Sequence, residues 1–175
     1  MLRLRAAVAT ALVVALVIAA PVSAAHVKQD LAWGSGVLAP LTTGSTAPSF
    51  QFNSSSDPDG ANPGGTFIYT TATGGFVATV TCLRVVGKQA TMVGQINTAT
   101  GTFVGVEGWW FVTVAQDNGT ATKRHPSPDT MSRVGYNSEA GWNGALAGAC
   151  ADPFSALEDP TMYPLVAGDF TVIDR

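Results

Sequence analysis

Two cysteines (Cys82, Cys150), two histidines (His26, His125) and a scatter of aspartates are the side chains of this chain best suited to chemistry. A structural zinc needs four thiolate or imidazole ligands in closely spaced pairs. These four residues are spread along the chain with no such pairing, so no metal and no cofactor is implied. "DPDG" (Asp57, Asp59, Gly60) matches the start of a calcium loop. It lacks the third acidic position and the distal glutamate that close the coordination shell, and reads as a turn. Nucleophilic catalysis needs a serine beside a histidine that a carboxylate orients. His125 in "KRHPSPD" is the realistic base, with Ser127 and Asp129 close in sequence, but no Gly-x-Ser-x-Gly elbow is present. Sugar hydrolysis uses two carboxylates whose spacing is set in space. Asp117, Asp129 and Glu139 are the candidates, although Asp117 before Asn118-Gly119 is better explained as a turn former. "GSGVLA" fits the dinucleotide fingerprint at Gly34, Gly36 and Ala39. Pro40 stops the helix that motif requires, and no βαβ pattern surrounds it.

The N-terminal stretch indicates where such groups would work. Arg3 and Arg5 precede a largely apolar run from Ala6 to Ala20, and Pro21 and small residues follow. This is the layout of a secretory signal peptide, residues 1–24, with cleavage expected after Ala24 or Ala25. The run falls short of the roughly 20 residues of a spanning helix, and no later stretch is apolar enough, so no membrane span is expected after cleavage. Arg3 and Arg5 leave with the leader and no acid does, which takes the net charge from −3 to −5. Lys123, Arg124 and His125 are the densest basic cluster. Phosphate contacts dominate nucleic-acid affinity, so nucleic acid is not an expected partner.

The elements that must position any site read as strands. Short runs rich in Val, Thr, Phe, Tyr and Trp are divided by Gly, Pro, Asn and Asp. "PSFQFNSS" alternates Phe50 and Phe52 with polar residues, and "TFIYTT" alternates Phe67 and Tyr69. "FVATVTC" and "ATMVGQI" form a hairpin about Gly87 and Lys88, with Val80 and Cys82 expected on one inward face. "VEGWWFVTVAQDNG" is the strongest strand, and "DTMSRVGYN" and "AGDFTVID" follow. With a weak first strand in "AWGSGVLA", this makes roughly eight. No amphipathic helix is evident, and "DPFSALED" offers one short turn begun by Asp152 and Pro153. The expected fold is all-β, a single antiparallel β sandwich or small β barrel spanning residues 25–175, with 25–48 loosely ordered.

Trp109 and Trp110 are adjacent on one strand and must point to opposite faces. One should enter the core, and the other should lie at the surface or under a loop, where it can stack on a sugar or anchor a partner. They are the ligand-binding candidates. An exported chain with two cysteines favours a disulfide between Cys82 and Cys150, tying the Gly- and Ala-rich "GWNGALAGAC" to the hairpin.

"GGFVATVTCLRVVGKQATMVGQI", "FVTVAQDNG" and "SPDTMSRV" together resemble a family of small exported β domains frequent in actinobacteria. Val80, Thr81, Cys82, Leu83, Gly87, Ala90 and Gly94 match its Val-Thr-Cys-Leu hairpin. Val114, Asp117, Asn118 and Gly119 match its Val-x-Asp-Asn-Gly segment, with Ala115 and Gln116 filling two positions where the family usually has one. The resemblance covers roughly residues 50–134. It implies a β fold and export, and it carries over no catalytic residue. The expectation is therefore a secreted, non-enzymatic β module with an envelope or extracellular partner. The alternatives are a hydrolase around His125 and the nearby acids, or a barrel holding a small apolar ligand.

Overall fold

The computed structural model describes residues 28–40, 45–120 and 129–175. The leader, the "KRHPS" stretch and both histidines lie outside the described residues. Nine strands follow in chain order: β1 (Asp30–Leu38), β2 (Ser49–Ser56), β3 (Gly64–Thr71), β4 (Gly74–Val86), β5 (Gln89–Gly101), β6 (Trp110–Gln116), β7 (Thr130–Ser132), β8 (Gly135–Asn137) and β9 (Met162–Ile173). All pairings are antiparallel. The ring β1-β2-β3-β4-β5-β6-β7-β9 closes on β1, giving an eight-stranded barrel, and β8 continues along β6 beyond β7. The fold is a barrel and not a sandwich. Residues 30–38, within the stretch expected to be loosely ordered, form β1, which is bonded to β2 on one side and β9 on the other.

Eight strands enclose a space that side chains can just fill. Here phenylalanines fill it: Phe52, Phe67 and Phe111 are almost fully buried, with Phe67 stacked on Phe111 at 4.6 Å. Gly94 of β5 makes room for this stack, since a Cβ there would stand 2.6 Å from the Phe111 ring. The β4–β5 hairpin turns on Gly87 and Lys88. Gly87 takes φ +61° at the first central position, where a II′ turn needs glycine.

A second apolar layer lies outside the barrel. Val93, Val112 and Val114 face outward from β5 and β6, and the excursion between β8 and β9 covers them with Trp142, Ala149, Ala156 and Leu157. This excursion has no α-helix, only short 3₁₀ turns, one of them Pro153–Ser155 after Asp152 as the sequence suggested. A disulfide joins Cys82 to Cys150, with Cα atoms 6.2 Å apart, within the normal bridging range. Cys82 does not face inward with Val80. The β4 register shifts between Val80 and Cys82, so Thr81 bulges and the inward set resumes at Leu83 and Val85. A bulge reverses the face of every residue after it. Cys82 therefore joins the outer layer, where Cys150 can reach it.

Candidate functional site

The aspartates that could have served catalysis close the barrel instead. β9 leaves β7 at Leu165, whose N–H donates to the Asp129 carbonyl (3.0 Å). Farther along β9, Phe170 N–H donates to Asp129 Oδ2 (2.9 Å) and Val172 N–H to Asp117 Oδ2 (3.0 Å). Residues two apart on a strand aim at the same edge, so the two carboxylates replace the missing neighbouring strand. Their other oxygens accept from Asn118 N–H and Gly119 N–H, both at 2.9 Å. Lys88 Nζ bridges Asp117 Oδ2 (3.3 Å) and the Val172 carbonyl (3.4 Å). The Asp-Asn-Gly turn and the Pro-Asp segment thus form one bracket around the last strand.

The two carboxyls are driven apart in acidity. Burial raises Asp117, but donors from Val172, Gly119 and Lys88 outweigh it and hold the carboxyl below its ordinary range. Burial pushes Asp129 up; Phe170 and Asn118 pull it down, and the Asp169 carboxyl beside it tips the balance upward. Opposite shifts in a carboxylate pair are the pattern of an acid and a base. Both oxygens of each group are occupied by the barrel's own N–H groups, however, and Asp129 has no exposed surface. A depressed carboxyl contributes stability that is present above the unfolded value, about 3.9, and is lost as pH falls toward the folded one. The stability gap between wild type and D117N in urea titrations should therefore be narrower at about pH 3 than at about pH 6. A gap of constant size would show that the clamp does not depend on the charge of Asp117.

A cleft of about 520 Å³ lies at the other end of β6. One wall is Arg133–Asn137, that is, β8 and the two residues before it. The facing wall is Ser155–Asp159 of the excursion, and Trp142 also lines the space. The excursion sits tightly on β8: a Cβ on Gly135 would come 2.8 Å from Leu157 Cδ2 and 3.3 Å from Trp142 Cη2. Arg133 holds the corner, its guanidinium 4.3 Å over the Tyr163 ring and its Nε 3.9 Å from Asp159 Oδ2. The Tyr163 hydroxyl donates to the same Asp159 oxygen. That bond, more than the Thr161 and Arg133 contacts, lowers the Asp159 carboxyl. The Trp142 indole nitrogen is buried and has no hydrogen-bond partner. A second groove of about 470 Å³ runs beside the disulfide, between Asp30, Asp59 and Arg84.

Neither tryptophan singled out from the sequence lines these clefts. They do face opposite ways: Trp109 packs on the inner core and Trp110 on the outer layer, each half-buried. Glu139 is exposed at the start of the 3₁₀ turn Ala140–Trp142, away from the Asp117–Asp129 bracket. Asp57 and Asp59 stabilise their own turn, Asp59 accepting from Ala61 N–H and Asp57 from the Asn62 amide. Among the described residues no cluster of three or more His, Cys, Asp or Glu could hold a metal. Sequence reasoning missed Tyr136 and Trp142, because it took "DTMSRVGYN" as one strand and "GWNGALAGAC" as a segment with little to pack. No protein-family profile, curated protein or solved structure matches this chain.

Proposed function

We propose that the protein is an exported, non-enzymatic barrel module of the cell envelope or extracellular space, acting by presenting its surface to a partner. The observation that carries this reading is the engagement of Asp117 and Asp129. The acids best placed for chemistry are occupied in holding β9, and one of them is sealed from solvent. The phenylalanine-filled interior argues in the same direction against a carried apolar ligand. The leader pattern of residues 1–24 and the likeness to exported β domains support export. The disulfide suits an oxidising compartment. Among the described residues no helix is long and apolar enough to cross a membrane.

The rival reading, a hydrolase, rests on His125, which the described residues do not include. One preparation tests both points. The full chain expressed with its leader should be recovered outside the cell with a new N-terminus at Ala25 or His26, read by mass spectrometry. The same material should show no turnover of chromogenic esters or glycosides above that of H125A. An intact Met1 terminus in the membrane fraction would defeat the export reading. Turnover abolished in H125A would establish the hydrolase.

A further inference from the structure

We infer that the free edge of β8 is a docking site for an extended peptide segment of another protein, one carrying a lysine or arginine, which adds to the barrel as a further strand. The inference goes beyond the reading above and does not depend on export.

The hydrogen-bond parity of β6 exposes the edge. Val114 N–H donates to Ser132 Oγ on the β7 side, whereas Asp117 N–H donates to the Lys88 carbonyl on the β5 side. Main-chain groups alternate between the two edges of a strand, so the even-numbered residues of β6 face β7 and β8. Trp110 and Val112, opposite Asn137 and Gly135, therefore make the ladder bonds to β8. Tyr136, opposite Phe111, turns its own N–H and C=O away from β6. Among the described residues β8 has no strand partner other than β6, and no hydrogen bond reaches the Tyr136 main chain. That edge opens on the cleft, whose volume of about 520 Å³ is in the range of ligand-holding sites.

The cleft also specifies what fits. Strand addition draws affinity from main-chain pairs and selectivity from alternate side chains. A peptide residue opposite Tyr136 would lie on that residue's face, beside Phe103 and Phe76, whose rings are 5.4 and 5.9 Å from Tyr136. Its neighbours would fall on the Gly135 face, toward Trp142 and Leu157. The uncompensated charge in the cleft is negative. Arg133 is engaged by Asp159 and Tyr163, while Glu158 on the opposite wall has neither a hydrogen bond nor an ion pair among the described residues. A second copy of this acidic chain would bring a second Glu158 to the same seam. A basic segment would neutralise it.

The test uses the full chain with its disulfide formed and three synthetic nonapeptides: alternating Val and Thr with a central Lys, the same with a central Glu, and the Lys peptide N-methylated at its centre. In the free protein the Tyr136 amide should exchange with solvent about tenfold or more faster than those of Gly135 and Asn137. The Lys peptide should slow the Tyr136 exchange, and the Glu and N-methylated peptides should bind about tenfold more weakly. E158Q, which alters only a surface group, should erase the preference for Lys over Glu. Several results would overturn the assignment: Tyr136 already protected in the free monomer, no response to the Lys peptide at about 1 mM, or equal binding of the Lys and Glu peptides. A dimer that protects Tyr136 without peptide would give the edge to a second copy instead.

Discussion

Replacing Asp129 with alanine is expected to destabilise the barrel by about 2–4 kcal/mol, with no change in the composition of the core. Asp129 is fully buried and accepts from two backbone N–H groups, on Asn118 and Phe170, each at 2.9 Å. Alanine leaves the Phe170 N–H buried without its acceptor, at roughly 1–3 kcal/mol, and removes the bond to Asn118 N–H at an exposed residue, worth about 1 kcal/mol. The Phe170 bond matters more to the fold, because it lies where β9 has passed beyond β7 and has no strand beside it on that edge. Asp169 supplies the control. It is exposed and its like charge lies beside Asp129, so D169N should leave stability at neutral pH unchanged or slightly higher, without the loss that D129A causes. D169N should also remove the neighbour that raises Asp129, moving that carboxyl down. Urea unfolding at neutral pH measures both variants. If D129A fell within error of D169N, the carboxylate would not be what closes the barrel.

The same residue shows how far the sequence could be read. Asp117 and Asp129 stand out in the sequence only as carboxylate candidates around one loop region, Asp117 with a turn as its better explanation. That their partner is β9, some 40 residues away for Asp129 and 55 for Asp117, was not legible there. Alternation and turn residues report on contacts within a strand and its hairpin. They do not report which distant strand completes a ring, so barrel and sandwich stayed undivided until the β1–β9 pairing was seen. The inward Cys82 failed for a related reason. A single bulged residue, Thr81, carries no distinctive side-chain type, yet it reverses the strand faces after it. "DTMSRVGYN" read as one strand, but it breaks at Arg133 and Val134, and that break separates β8 from β7 and leaves its edge free. β6 was the strongest strand signal because it is apolar on both faces. Its second face is covered by a segment whose small residues gave no hint of packing, which places Trp142 and Leu157 over Val93, Val112 and Val114 and is tied at its middle by Cys150.

Holding that segment is the work of the disulfide, and its removal should have an effect of similar size. The bond links residues 68 positions apart. In the chain-entropy account, a loop of that length stabilises by about 4 kcal/mol through restriction of the unfolded chain. For a domain of this size, that corresponds to a fall of about 8–16 °C in Tm for the double variant Cys82→Ala, Cys150→Ala. The loss should be divided unevenly over the molecule. No ladder bond of the barrel passes through Cys150, so the far-ultraviolet spectrum of the folded double variant should match wild type. Apart from its chain connections to β8 and β9, the outer layer over Val93, Val112 and Val114 has this one cross-link, and in the double variant amides of the excursion should exchange faster than those of β4 and β5. The cleft follows the excursion, because Ser155–Asp159 form its far wall. A double variant that keeps the barrel should therefore lose the distinction between Lys and Glu peptides that Glu158 provides, even with Tyr136 still free at the edge. A Tm within about 3 °C of wild type, or titratable thiols in the unfolded, unreduced protein, would show that packing alone keeps this wall in place.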